Sequence, residues 1–179
     1  MTGLATRRLV LAAVFAALPV VLSFFPGSIP VGGARLLPWQ HMVNVLAGVL
    51  VGPWYAALAA TVAAILRNLF GVGTLLAFPG GIPGALVVGF AYQVWRRPWV
   101  GLLEPLGTGL IGATLGSLFV APFFMGRAIP LVDVTRPFVA GLLPLFLMSS
   151  IPGAILGVVV LRALARAGVT PAAGEASQL

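Results

Sequence analysis

Two short stretches of an otherwise apolar chain hold most of the side chains that could do chemistry. Residues 36–44 read LLPWQHMVN, and residues 67–81 read RNLFGVGTLLAFPGG. In lipid, a charged side chain at a helix centre costs on the order of 2.5 to 3.5 kcal/mol on insertion scales, so such groups usually mark a site. The polar members of the two stretches are Gln40, His41, Asn44, Arg67 and Asn68. We expect them to converge on a small polar pocket inside a membrane protein.

Gln40, His41 and Asn44 have the spacing of neighbours on one helix. Positions 40 and 44 share a face, and position 41 lies beside them. Amide and imidazole groups both donate and accept hydrogen bonds, which suits a neutral heteroaromatic ligand with a hydroxyl better than an ion. The alternative is helix capping and hydrogen bonding between helices. A single histidine without partners of metal-ligand type does not indicate a metal site.

Arg67 and Asn68 lie where an apolar span meets the connection 71–81. Arg67 could pair with a substrate, tie down loop carbonyls, or extend to the outer interface, and ordering the loop is the role we favour. The connection GVGTLLAFPGG is too apolar for water and too rich in Gly and Pro for a lipid-facing helix. We expect it to fold back over the helices as a lid, because irregular backbone at membrane depth must be buried in protein.

Three further polar residues have open roles. Glu104 is the only acid in a predicted span, and we expect it toward the cytoplasmic side, paired with an arginine or in contact with a partner subunit. Thr108 and Ser149, like Ser150, are hydroxyls on predicted helices whose default role is to satisfy backbone carbonyls.

The composition identifies an integral membrane protein. Of the 179 residues 60% are hydrophobic and only 7% are charged, whereas charged residues make up about 25% of a soluble domain. The ten basic residues are all arginines, set singly or in pairs between apolar runs, which predicts topology anchors rather than a nucleic-acid surface. Cysteine is absent. One histidine and three acids form no catalytic arrangement, and without a Walker motif the chain cannot power ATP-driven transport alone.

Six apolar runs predict an all-α fold of six transmembrane helices with ordered external loops. The predicted spans are 9–25, 41–51, 54–70, 82–95, 100–125 and 138–164. Residues 1–167 then form a single membrane domain, and 168–179 form a disordered cytoplasmic tail. The segment 26–38 is predicted to be an ordered external loop.

The positions of the arginines predict that both termini are cytoplasmic. In that orientation Arg7, Arg8, Arg96, Arg97, Arg162 and Arg166 lie inside, and Arg35, Arg127 and Arg136 lie outside. Both loops rich in Gly and Pro then face the exterior of a prokaryotic cell membrane.

The first span carries two pairs of small residues four apart, Ala12 with Ala16 and Ala13 with Ala17. Such pairs let another helix approach closely in lipid. We predict that they dock a partner subunit; packing against the chain's own helices is the alternative.

The central segment resembles a known family. The string PWQHMVNVLAGVLVGPWYAALAATVAAILRNLFGVGTLLAFPGGIPGAL is similar to the ThiW family, the thiazole-precursor S component of energy-coupling factor (ECF) vitamin transporters. The similarity is densest over 37–89 and continues through EPLGTGLIGA at 104–113 and SSIPGAILG at 149–157.

The resemblance implies a six-helix membrane subunit that captures 4-methyl-5-(2-hydroxyethyl)thiazole from outside. It implies docking through the first helix onto a transmembrane coupling subunit and two ATPase subunits, which use ATP and Mg while this chain carries no cofactor. The residues that we predict to bind substrate are Trp39, Gln40, His41, Asn44, Asn68, Thr74 and Phe78. Two other functions stay open: a stand-alone secondary transporter for a small neutral heteroaromatic, and a membrane scaffold without ligand. An S component for thiamine or another vitamin is a further alternative.

Overall fold

The computed structural model describes residues 2–25, 29–31, 34–133, 141–169 and 171 of the chain. Within these ranges the protein is helical apart from one small hairpin and the connections. The helices are α1 (Thr2–Leu22), α2 (Pro38–Leu50), α3 (Pro53–Leu69), α4 (Ala77–Trp95), α5 (Pro98–Phe124) and α6 (Leu142–Arg166). The hairpin consists of β1 (Ile29–Val31) and β2 (Ala34–Leu36), antiparallel with Ile29 opposite Leu36. It lies in the segment that was predicted to be an ordered loop.

Four of the described helices are long and apolar enough to cross a membrane. They are Gly3–Leu22 in α1, α4, α5 and α6, with 20, 19, 27 and 25 residues. A helix needs about 20 apolar residues to span the hydrocarbon core, and α2 and α3 have 13 and 17. The helical multi-pass architecture is therefore confirmed, whereas six complete spans and the cytoplasmic termini stay predictions.

Prolines set where several helices begin. Pro38, Pro53 and Pro98 each stand at the start of a helix, where the missing N–H has no intrahelical partner. Between α2 and α3 the chain turns at Gly52, whose φ of 91° is a conformation that favours glycine. The sequence Gly52-Pro53 thus holds α2 and α3 in a tight turn, with the polar start of α2 at the far end of the pair.

The second half of the predicted lid (71–81) is helical, so the prediction of an irregular connection over the whole segment is corrected. Residues 77–81 belong to the first turns of α4, so the irregular connection between α3 and α4 is only 70–76. Pro79 is tolerated there because the first N–H groups of a helix lack an intrahelical acceptor. Gly80 and Gly81 are buried against neighbouring helices, which offsets their weak helix propensity.

α5 departs from regular α-helical geometry along most of its length. It begins as a 3₁₀ helix over Pro98–Leu103 and continues as π-helix over Leu106–Gly112 and again over Gly116–Phe124. Pro105, which has no backbone N–H to donate, stands just before the first π segment. Such segments often occur at functional sites, because they change which side chains share a face.

Glycines let the helices that carry polar residues approach closely. A Cβ on Gly107 of α5 would lie 2.5 Å from the carbonyl oxygen of Pro83 in α4. A Cβ on Gly153 of α6 would lie 2.6 Å from Cβ of His41 in α2. These small-residue contacts are how helices associate in lipid, and here they bring α2, α4, α5 and α6 together.

The alanine pairs of α1 divide between two faces. Ala12 and Ala16 are buried and belong to the apolar core that α1 forms with α3. Ala13 and Ala17 are exposed, and Ala13 shares with Ala12 and Ala16 an apolar hollow between α1 and α3. The packing of α1 therefore favours the internal role for Ala12 and Ala16, and docking of a partner stays a prediction for both pairs.

Some predictions fall partly or wholly on residues outside the described ranges. Of the predicted tail, only Gly168, Val169 and Pro171 are described, and Arg136 lies outside them. α6 ends at Arg166, next to the predicted domain limit at 167, and the division into domain and tail stays a prediction.

Candidate functional site

Four polar side chains from α2 and α5 meet in what we call the carboxylate cluster: His41, Asn44, Glu104 and Thr108. Oε1 of Glu104 lies 2.9 Å from Nδ1 of His41, 3.0 Å from Nδ2 of Asn44 and 2.7 Å from Oγ1 of Thr108. Glu104 and Thr108 are fully buried. Two backbone carbonyls of α4 complete the cluster, since Thr108 contacts Gly80 O at 3.0 Å and Asn44 donates to Gly81 O at 3.2 Å.

This arrangement corrects the prediction for Glu104. Its described partners are His41, Asn44 and Thr108, not an arginine or a partner subunit, and it is joined to the site through His41. His41 and Asn44, in the first two turns of α2, reach the start of α5, and this places Glu104 beside them. Its second oxygen, Oε2, is buried without a hydrogen-bond partner among the described residues.

A cavity of about 140 Å³, here called the polar cavity, lies beside the cluster. Helices α2, α3, α4 and α6 form its walls. Its lining residues are Leu37, Gln40, His41, Arg67, Leu76, Ala77, Gly80, Leu142, Leu145, Phe146 and Ser149. Polar groups of α2, α3 and α6 therefore share one small space with aliphatic and aromatic side chains. His41 belongs both to this cavity and to the carboxylate cluster.

Arg67 is held inside the protein by Gln40. The guanidinium donates from Nη1 to Oε1 of Gln40, and the residue is only 4% exposed. It does not extend to an interface, and its described side-chain partner is Gln40 rather than a loop carbonyl. The backbone carbonyl of Arg67 accepts from Val72 N–H of the connection at 2.9 Å, and a role of the side chain in ordering the loop stays a prediction. Its Nε is buried without a partner among the described residues.

The loop is ordered by the neighbouring residue. Nδ2 of Asn68 donates to Ala64 O at 2.8 Å and to Thr74 O at 3.0 Å, which ties the connection after α3 back onto that helix. Thr74 is exposed, and neither residue lines the polar cavity. The structure therefore does not bring these two predicted substrate-binding residues to the other polar groups.

The two aromatic residues predicted for the pocket lie elsewhere. Trp39 lines a narrow crevice against Pro19 and Leu22 of α1. Phe78 faces an apolar hollow with Val120 and Phe124. Both stand one or two residues from cavity-lining positions, and the helical turn directs them to other faces of α2 and α4.

Thr108 and Ser149, whose roles the sequence left open, both belong to the site: Ser149 lines the polar cavity and Thr108 is part of the carboxylate cluster. Ser149 accepts a hydrogen bond from the backbone N–H of Leu37 at 3.0 Å and lines the polar cavity. Thr108 contacts a carbonyl, as expected, but also the carboxylate of Glu104. Ser150 is fully buried, and its Oγ has no partner among the described residues.

The apolar wall on α6 was not predicted. Leu142, Leu145, Phe146 and Ser149 all line the cavity from this helix. Their separations of three and four residues are the spacing of a single helix face. That spacing, counted back from Ser149, is the signal that could have identified Phe146 as the aromatic wall in place of Phe78.

The arrangement is suited to binding rather than to reaction. A few hydrogen-bonding groups among mostly apolar lining residues can fix the orientation of a small, mostly apolar molecule. The carboxylate cluster, buried behind His41, connects three helices through hydrogen bonds. Together with the helical membrane fold, this defines a membrane protein that binds a small molecule within its helices.

Comparison with known proteins identifies the particular family. The chain matches the family described as thiamine-precursor transporter protein (ThiW) over residues 9–167 and belongs to that family. This confirms the family resemblance found in the sequence. Membership makes the chain a membrane transport protein of the S-component class, for a vitamin or a vitamin precursor.

A relative of known name supports the same class. The chain is 31% identical to the biotin transporter BioY of Rhodobacter capsulatus, in a match that covers 89% of this chain and 92% of the relative. No solved structure matches the chain.

Proposed function

We propose that this chain is the substrate-binding S component of an ECF-type importer and that its ligand is 4-methyl-5-(2-hydroxyethyl)thiazole. The observation that carries the proposal is the polar cavity, which is lined by the polar residues Gln40, His41, Arg67 and Ser149 and by apolar residues that include Phe146. The family description, a transporter of a thiamine precursor, is consistent with this ligand.

The size of the cavity favours a molecule with one ring. Its volume of about 140 Å³ is close to that of an engineered apolar protein cavity of roughly 150 Å³ that binds benzene. A methylthiazole with a two-carbon side chain is a ligand of this order of size. Thiamine, which adds a second aromatic ring, would extend beyond this volume, and so would a two-ring vitamin such as biotin.

The chemistry of the walls favours a neutral ring with a hydroxyl. Apolar side chains such as Leu145 and Phe146 suit the thiazole ring and its methyl group. His41, Ser149 and the amide of Gln40 suit a hydroxyl, which both donates and accepts.

The first test is equilibrium binding to the detergent-solubilised chain, followed by intrinsic tryptophan fluorescence or calorimetry. We expect saturable one-to-one binding of hydroxyethylthiazole and at least about tenfold weaker binding of thiamine, a difference of 1.4 kcal/mol. Equal or tighter binding of thiamine would contradict the assignment of the ligand. Saturable binding of neither, with a chain that is folded by thermal unfolding, would contradict the binding function as proposed.

Transport is proposed to require a coupling subunit and two ATPases that hydrolyse ATP, docked on the exposed face of α1. In this proposal Ala13 and Ala17 contact the partner, because they are small and exposed while Ala12 and Ala16 are occupied inside the chain. Close helix contact in lipid depends on such small residues.

Ala13→Leu should therefore preserve ligand binding and reduce uptake in proteoliposomes that contain the partner subunits. We expect a reduction of about tenfold, since overpacking a helix contact costs on the order of 1 to 3 kcal/mol. Val159→Leu, on an exposed position of α6, is the matched control and should leave both properties unchanged. Ala12→Leu should instead lower the unfolding temperature. Unchanged uptake by Ala13→Leu, or uptake by the purified chain alone, would speak against the docking proposal.

A further inference from the structure

The hydrogen bonds of the carboxylate cluster determine which groups donate and which accept. Nδ2 of Asn44 lies 3.2 Å from Gly81 O, and a carbonyl oxygen can only accept, so this atom is the amide nitrogen and not the amide oxygen. Its second N–H points to Oε1 of Glu104 at 3.0 Å. Oε1 is therefore an acceptor.

The same acceptor faces the histidine. A carboxylate oxygen only accepts, so with Glu104 as the carboxylate, Nδ1 of His41 at 2.9 Å is the donor of the bond between them. The hydrogen bond at one ring nitrogen sets the state of the other. In a neutral ring, a proton on Nδ1 leaves Nε2 with a free lone pair.

Two ionisable side chains lie beside His41. Oε1 of Glu104 lies 2.9 Å from Nδ1, and the guanidinium of Arg67 lines the polar cavity together with His41. The imidazole thus faces an acceptor in the carboxylate cluster and shares the cavity with a group that can only donate.

The remaining polar groups of the cavity complement such a nitrogen. Arg67 offers only N–H donors, and Gln40 offers an amide NH₂ group besides the oxygen that already accepts from Arg67. Nε2 of His41 is then the ring atom through which α2 can accept a hydrogen bond in the cavity. A hydroxyl, which donates one hydrogen bond and accepts others, fits between these groups.

We propose that Glu104 is a positioning residue that accepts a hydrogen bond from Nδ1–H of His41, so that Nε2 accepts the hydroxyl proton of the ligand. The role in recognition rests on the proposed function, because it assumes a ligand with a hydroxyl in the polar cavity. The state of the histidine is a property of the protein without ligand. An unprotonated Nε2 of His41 makes the chain selective for a ligand with a hydroxyalkyl group over one with an alkyl group.

The histidine state can be measured directly, because His41 is the only histidine in the sequence. In ¹⁵N-histidine-labelled protein near neutral pH, nitrogen chemical shifts and N–H couplings report which ring nitrogen is protonated. We expect Nδ1 protonated and Nε2 unprotonated in the ligand-free chain. A proton on Nε2, alone or together with one on Nδ1, would overturn the proposal.

Two substitutions of Glu104 distinguish the effect of its acceptor oxygen from the effect of its negative charge. Glu104→Gln keeps an oxygen that can face the same donors, and we expect it to preserve the Nδ1–H form. Glu104→Met has similar length without an acceptor, and the preference for Nδ1–H should be lost. If the Met variant does not fold, the wild-type and Gln spectra still decide the matter, since a proton on Nε2 in Glu104→Gln would also count against the proposal.

Ligand binding supplies the second readout. Wild-type protein should bind hydroxyethylthiazole about tenfold more tightly than 5-ethyl-4-methylthiazole, the size expected for one hydrogen bond. Glu104→Gln should retain this ratio, and Glu104→Met should bring it close to one. An unchanged ratio in folded Glu104→Met would overturn the positioning role. Failure of both thiazoles to bind wild-type protein would overturn the proposed function, while the spectrum decides the histidine state independently.

Discussion

Gly84→Ala should disrupt the carboxylate cluster and strongly destabilise the protein. Gly84 lies on α4 where that helix crosses α5, and a Cβ there would collide with Oε1 of Glu104 and lie 2.5 Å from Oγ1 of Thr108. The variant must displace the carboxylate or separate the helices. Overpacking costs on the order of 1 to 3 kcal/mol, and a buried polar group left unpaired costs about as much again. We therefore expect a free energy of unfolding lower by about 3 kcal/mol or more, seen as a lower unfolding temperature in detergent.

The same substitution should weaken ligand binding by at least about tenfold, because His41 loses the partner that orients it. Gly3→Ala is the matched control, since a Cβ at that helical glycine meets nothing within 4 Å. It should be neutral or slightly stabilising, as alanine favours a helix by about 1 kcal/mol over glycine.

The same substitution in a Glu104→Ala variant tests whether the contact with Glu104 causes the destabilisation. In Glu104→Ala protein the carboxylate is absent, so adding Gly84→Ala should cost clearly less than it does in wild type. Such non-additivity is expected only when two residues share the same space. Equal costs in both backgrounds would show that the contact with Glu104 is not the cause and that the alanine acts on α4 itself or on Thr108.

The sequence predicted the polar part of the site better than its apolar part. Gln40, His41 and Arg67 were singled out because polar groups among apolar residues are costly in lipid, and all three line the polar cavity. The same argument cannot choose among leucines and phenylalanines, which are common throughout this chain. Phe146 is recognisable only once the face of α6 is known, so Phe78 was chosen in its place.

The sequence also could not show which residues far apart in the chain contact each other in the fold. The bond from Glu104 to His41 joins residues 63 positions apart, and it depends on how far α2 enters beside α5. Likewise, the spacing of Ala12 with Ala16 and Ala13 with Ala17 is identical, and only the packing of α1 on α3 shows which pair is buried.

Local chemistry misled where tertiary packing outweighed it. Pro79, Gly80 and Gly81 are typical of a loop, yet they form the beginning of α4. Their small size is used in packing, since a Cβ on Gly81 would lie 2.5 Å from Nε2 of Gln40. Burial against other helices thus outweighs weak helix propensity. The segment 71–81 that was expected to form a lid contributes Leu76, Ala77 and Gly80 to the lining of the polar cavity, the last two from the first turns of α4.

The polar cavity and the carboxylate cluster are both formed without residues of α1. The polar cavity is lined by residues of α2, α3, α4 and α6 together with Leu37, and the carboxylate cluster by residues of α2 and α5. α1 packs mainly on α3 and contributes to neither. A partner could therefore contact the exposed face of α1 without displacing a ligand-contacting residue, which is why binding and docking can be tested separately.

Gln40→Leu should destabilise the protein by about 3 kcal/mol, because it removes the described side-chain partner of a buried guanidinium. The change conserves volume approximately, so the main effect is electrostatic: Arg67, 4% exposed, keeps its charge and loses its acceptor. Removing both polar groups with Gln40→Leu and Arg67→Met should restore much of this loss, since well-packed apolar residues often replace a buried polar pair at little cost. Unfolding in detergent measures all three variants against wild type.

Ligand affinity should not recover with stability in the double variant. Gln40 and Arg67 both line the polar cavity, so replacing them removes donors that the ligand is proposed to use. Gln93→Leu, on an exposed position of α4, is the matched control and should change the free energy of unfolding by less than about 0.5 kcal/mol. Additive costs in the double variant would contradict a stabilising bond between Gln40 and Arg67. Wild-type affinity in the stable double variant would instead remove both residues from the binding site and leave them a purely structural role.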